Sequence, residues 1–136
     1  MHTPQQLLLD VLHIEPNGVP IYVQLREQVL GAMGAGLLKS GDQMPTMRQV
    51  SVALRVDLNT VRHAYDELER MGAVTLVRGR GSFVAEPPAP AAASVQAEAA
   101  EKLARQILAK AATAGVAPQR LIERIAALAA NKEDYK

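Results

Sequence analysis

The chain contains no cysteine, which excludes disulfides, thiolate metal sites and cysteine nucleophiles together. No apolar run approaches the roughly 20 residues that a helix needs to cross a bilayer. The opening stretch, MHTPQQLLLDVL, has neither a basic region nor a small-residue cleavage site, so it does not read as a secretory signal. Charge of one sign is not in excess either, with a formal net charge of +1. The histidines His2, His13 and His63 lack metal-ligand spacing. No Gly-x-Ser-x-Gly elbow and no phosphate-cradling P-loop occurs. These absences point away from an enzyme, and the expectation is a cytoplasmic protein with no metal, no cofactor and no membrane partner.

What is present is concentrated in one region. At 136 residues the chain holds one ordinary domain, or a small domain with an appendage. A hydrophobic content of 49% argues against disorder throughout. Between Met44 and Ala85 six arginines face four acids, three of which cluster at Asp66, Glu67 and Glu69. Distribution therefore says more than net charge.

Periodicity and punctuation divide the chain into four parts. Residues 1–18 read as a short helix, with Thr3 as N-cap and Pro4 at the first helical position, followed by a turn. Residues 19–85 read as three helices and a hairpin. The first runs from Pro20 to about Ala35 with an apolar stripe at Ile21, Leu25, Val29, Ala32 and Met33. The second opens at Pro45, where Thr46 and Gln49 have capping-box spacing, and turns Val50, Ala53 and Leu54 inward. The third is capped by Asp57 and ends at Gly72, with a buried stripe of Val61, Ala64, Tyr65, Leu68 and Met71. Its opposite side carries Asn59, Arg62, His63, Asp66 and Arg70, and Asp66 is spaced to pair with either arginine.

Strand-like Val74–Val77 and Ser82–Ala85 flank Arg78-Gly79-Arg80-Gly81, a tight basic tip. Residues 86–95 are a proline- and alanine-rich linker. Residues 96–136 hold two more helices, about Gln96–Ala114 and Pro118–Ala130. Their apolar residues Leu103, Ile107, Leu108, Leu121, Ile122, Ile125 and Leu128 cannot all be buried by one helix pair. A second copy of the pair is the simplest cover, giving a two-fold homodimer. Folding back onto the N-terminal part is the alternative. The fold class is mainly α with a small β hairpin: a winged helix-turn-helix followed by a C-terminal helical dimerisation hairpin.

This pattern presents one helix to a DNA major groove and a basic wing to the adjacent backbone or minor groove. Arginine near an exposed helix start can lie bidentate on guanine or hold a phosphate. Arg62 suits the base edge, and Arg48 a phosphate with some base contact. Asn59 fits two roles, bidentate on adenine or a local polar contact. Thr60 suits a phosphate, aided by its backbone N–H. His63, one position past Arg62, completes the outward face. Arg78, Gly79 and Arg80 form a tip suited to a narrow, negative minor groove.

The segments VPIYVQLREQV, GLLKSGDQMPTMRQ and VDLNTVRHAYDELERMGAVTLVRGRGSFV resemble the winged helix-turn-helix of GntR-family transcription regulators. The short C-terminal part is similar to the YtrA-type subgroup, whose members carry only a small helical pair for dimerisation. The resemblance implies DNA contacts from Arg48, from Asn59, Thr60 and Arg62, and from Arg78 and Gly79 with Arg80 alongside. Asp57 and Leu58 depart from the usual family residues and bear on the base sequence recognised. The expected function is a homodimeric regulator, a repressor, on a double-stranded inverted-repeat operator, residing on the nucleoid when bound. Two rival readings are a winged scaffold for protein–protein contact and non-specific architectural DNA binding. The near-neutral charge disfavours the latter. A small-molecule effector is compatible with the sequence, but no residue anchors one.

Overall fold

A computed structural model describes residues 3–88 and 91–134, with side chains described as far as residue 130. His2, and residues 89 and 90 of the expected linker, lie outside the described residues. The elements follow in the order α1 (Pro4–Val11), α2 (Ile21–Gly34), α3 (Met47–Leu54), α4 (Leu58–Arg70), β1 (Val74–Val77), β2 (Gly81–Val84), α5 (Ala93–Ala114) and α6 (Pro118–Asp134).

The Thr3 hydroxyl caps α1 by accepting from the Gln6 amide at 3.1 Å. This short helix buries Leu8, and Leu12 just after it, in the main core. The turn that follows is held by glutamines of α2. Buried Gln24 accepts from the Glu15 amide at 2.8 Å and donates to the Val19 carbonyl at 2.8 Å and the Glu15 carbonyl at 3.0 Å. A buried amide left unpaired would be costly, and here both ends of the group are used.

Helices α2, α3 and α4 enclose the core. Leu25, Val29 and Ala32 of α2 meet Val61, Ala64, Tyr65 and Leu68 of α4, with Val50 of α3 closing one side. The Thr46–Gln49 capping box is formed: the Gln49 amide reaches the Thr46 hydroxyl at 3.0 Å, and the Thr46 amide reaches the Gln49 side chain at 2.8 Å. The Tyr65 hydroxyl donates to the Pro45 carbonyl at 2.5 Å, and burial pushes its phenol well above the ordinary tyrosine range.

β1 and β2 pair antiparallel, with Val74 opposite Val84 and Val77 opposite Gly81. The hairpin does not stand alone. Residues 41–44 run beside β2, where the Met44 amide donates to the Ser82 carbonyl at 2.8 Å and the Val84 amide to the Asp42 carbonyl at 2.8 Å. The wing thus has a third, short extended edge that roots it beside α3.

Several expectations are corrected. Ala53 is exposed: the inward side of α3 is made by buried Val50 with half-buried Met47 and Leu54, which leaves Ala53 at its edge. Met71 is 55% exposed: α4 ends at Arg70, Gly72 takes φ 79, and the Ala73 amide returns to the Leu68 carbonyl at 2.9 Å. This closing turn leaves Met71 outside the stripe. Asp57 occupies the N-cap, but its carboxylate makes no cap bond. Strand β2 spans Gly81–Val84, one residue earlier than expected at each end, because Gly81 already pairs with Val77. Helix α5 begins at Ala93, so alanine-rich sequence assigned to the linker is helical, as alanine's propensity favours. Helix α6 extends to Asp134.

Candidate nucleic-acid interface

The turn between α3 and α4 determines which side of α4 faces outward. Arg55 ends α3 in the left-handed region at φ 56, and the Val56 amide returns to the Ser51 carbonyl at 3.1 Å. The Ser51 hydroxyl donates to the Val56 carbonyl at 2.6 Å, so two bonds between the same two residues lock the turn. Val56, just before α4, is buried in the core and anchors the turn to it.

With Val61, Ala64, Tyr65 and Leu68 turned into the core, Asn59, Arg62, His63 and Asp66 are all exposed on one side of α4. Arg62 Nη1 donates to Asn59 Oδ1 at 2.7 Å. Neither spacing expected for Asp66 is used in this way, since Arg70 pairs with Glu67 instead. Glu67, whose side chain is only 14% exposed, also accepts from Arg26 of α2 at 3.1 Å. That pairing reflects position: Glu67 lies at the α2–α4 seam, whereas Asp66 points to solvent. Thr60 is half-buried, and its amide is already bonded to the Asp57 carbonyl at 3.0 Å. The backbone N–H expected to assist at Thr60 is therefore used inside the first turn.

His63 is not a bare surface histidine. Its ring stacks on Tyr22 of α2 with centroids 3.7 Å apart and planes inclined by 15°. The near-parallel contact lays the imidazole against the phenol ring and ties the outward side of α4 to α2. Arg48 stands exposed near the start of α3.

On the wing, Arg78, Gly79 and Arg80 are exposed at a three-residue tip, where Gly79 takes φ 81 and the Arg80 amide returns to the Val77 carbonyl at 2.9 Å. Gln43 Nε2 donates to the Arg80 carbonyl at 2.9 Å, tying the tip to the segment ahead of α3. Gln43, Tyr22 and Gln24 carried no signal in the sequence, because each acts through a partner distant along the chain. Among the described residues, no group of three or more His, Cys, Asp or Glu side chains could hold a metal ion.

Three helices with a locked turn between the second and third, followed by a rooted basic hairpin, make a winged helix-turn-helix. Residues 21–84 match the family described as bacterial regulatory proteins, gntR family. The chain is 30% identical over 127 residues to the HTH-type transcriptional repressor YtrA of Bacillus subtilis, covering 93% of this chain and 98% of that protein. It is 39% identical over 103 residues to the HTH-type transcriptional regulator Rv1152 of Mycobacterium tuberculosis, covering 74% of this chain and 84% of that one. Among solved structures, YtrA from Sulfolobus acidocaldarius, described as a GntR-family transcription factor, superposes with a TM-score of 0.52 at 26% identity. That match covers 72% of this chain and 92% of the other. The chain belongs to the gntR family and is a DNA-binding transcription regulator of that family.

Proposed function

We propose that the chain binds an inverted-repeat operator as a homodimer and represses transcription from it. The observation that carries this reading is the outward side of α4, where Asn59, Arg62 and His63 are exposed beside the wing arginines Arg78 and Arg80. A helix offering amide and guanidinium groups on its free side matches what a major groove displays. Arg48 and Thr60 add phosphate contacts, and the wing reaches the flanking backbone or minor groove.

The dimer rests on α5 and α6. Leu103, Ile107, Leu108, Ile122 and Ile125 are all exposed, while Leu121 and Leu128 are half-buried. Burying one such side chain is worth about 1.5–3 kcal/mol, so two copies of this helix pair associate through that face. Residues 19–85 form the DNA-binding unit and residues 96–136 the dimerisation unit. No helix among the described residues is long and apolar enough to cross a membrane, and the protein works in the cytoplasm on the bacterial nucleoid.

A footprint on the promoter region of the chain's own operon tests the reading. The expected result is a symmetric protected site, with affinity falling steeply as salt is raised. Arg62→Ala and Arg78→Ala should each weaken binding about tenfold or more. Unchanged binding by both variants would refute the site.

A further inference from the structure

Within the first two turns of α4, Arg62 Nη1 donates to Asn59 Oδ1 at 2.7 Å. Both side chains are exposed, so burial does not force them together. Helix geometry does: long side chains lean toward the helix N-terminus, and residues three apart share a face. The amide orientation follows from charge, since turning the Asn59 NH2 toward the guanidinium would set donor against donor.

The bond uses one of the five N–H groups that a guanidinium carries and leaves the others available to fork onto an acceptor pair. An arginine already held at one side loses less rotamer freedom when it docks. The partner's neutrality also matters. Had Arg62 paired with the carboxylate of Asp66, one turn on, its charge would be offset; with an amide it keeps its full charge for DNA.

The same bond speaks against Asn59 as a reader. Bidentate recognition of adenine needs Oδ1 to accept from N6 while Nδ2 donates to N7. Here one of the two Oδ1 lone pairs is taken by Arg62, which sets the direction of the carboxamide. An amide held to the guanidinium in this way can offer Nδ2 to N7, a contact that adenine and guanine share.

We infer that Asn59 is a positioning residue, whose carboxamide oxygen holds the Arg62 guanidinium in place to read a guanine edge, and that it does not itself read adenine. This rests on the DNA-binding reading above and assigns its specificity to a coupled pair.

The test uses the full-length chain. A preferred site is selected from a randomised duplex library, and affinities are then measured for that site and all its single-base-pair variants. Arg62→Ala should lose its preference at one G·C pair, by about tenfold. Asn59→Ala should lower preference by a few-fold at that same pair and nowhere else, and the double variant should be no worse than Arg62→Ala. Asn59→Asp keeps an oxygen acceptor for Arg62 but adds negative charge. It should retain the G·C preference while binding every sequence more weakly. Loss of preference at a separate A·T pair in Asn59→Ala, or full additivity of the two alanine variants, would overturn the inference and leave the operator reading intact. Failure of the wild-type chain to select any sequence would overturn both.

Discussion

The Tyr65 hydroxyl and the Pro45 carbonyl, twenty residues apart in sequence, meet at 2.5 Å inside the protein. Tyr65 lies in the middle of α4, and Pro45 immediately precedes the capping box of α3. The bond therefore sets how the first helix of the turn motif stands against the second. Tyr65→Phe leaves the carbonyl without this donor and should cost about 1–3 kcal/mol. Thermal melting would show a midpoint several degrees lower, with the helical signal otherwise intact.

The same phenol makes stability fall in strong alkali. Burial raises the Tyr65 pKa in the folded protein. Well below about pH 10, the midpoint for free tyrosine, the group is neutral in both states and its contribution is fully present. Above that pH the unfolded chain gives up the proton and the folded chain keeps it, so the unfolded state binds fewer protons and stability declines. In an absorbance titration Tyr65 should ionise only as the chain unfolds. Tyr65→Phe should flatten the alkaline loss.

Two glycines of the wing should respond unequally to alanine. Gly79 takes φ 81 with open space around it, whereas Gly81 takes φ 119 and an added Cβ would lie 3.0 Å from Gln43 Nε2. Backbone strain of order 1–3 kcal/mol applies to both, but only Gly81→Ala also pushes away the side chain that holds the Arg80 carbonyl. Gly81→Ala should therefore lower stability and DNA affinity more than Gly79→Ala. Equal effects in paired melting and gel-shift experiments would show that the Gln43 tie is unimportant.

Removing the α3 cap should be felt locally. Thr46→Ala deletes the acceptor for the Gln49 amide and is expected to cost about 0.5–2 kcal/mol. Amide exchange in α3 should accelerate more than exchange in α2, which does not use that cap.

The C-terminal helices should govern assembly without governing the winged domain. Replacing Ile122 and Ile125 together by lysine places charge on the exposed apolar side of α6. Sedimentation should show the wild type at twice the chain mass and the variant at the chain mass. The variant's far-UV spectrum and the winged domain's melting should change little.

Much of the architecture was legible because its signals are local. Thr3, Thr46 and Gln49 announced caps through spacing alone, and Gly79 with Gly81 announced a tight tip. The stripe from Val61 to Leu68 identified the inward side of α4, and with it the outward one. The misreadings fall where a local rule met a competing constraint. Met71 keeps the helical register, yet the turn at Gly72 carries the chain away before it can be buried. Asp66 has good helical spacing for two arginines, yet Glu67 occupies the seam where Arg26 and Arg70 can both reach it.

Sequence alone determined the order of elements, the inward stripes of α2 and of most of α4, and the side-chain chemistry offered at the candidate interface, because capping, periodicity and side-chain charge act within a few residues. Only the tertiary structure decided which groups pair: Tyr22 under His63, Gln43 behind the wing, Tyr65 against Pro45. Such pairs depend on how helices cross and where strands dock, and those positions are set by core packing among residues far apart in the chain.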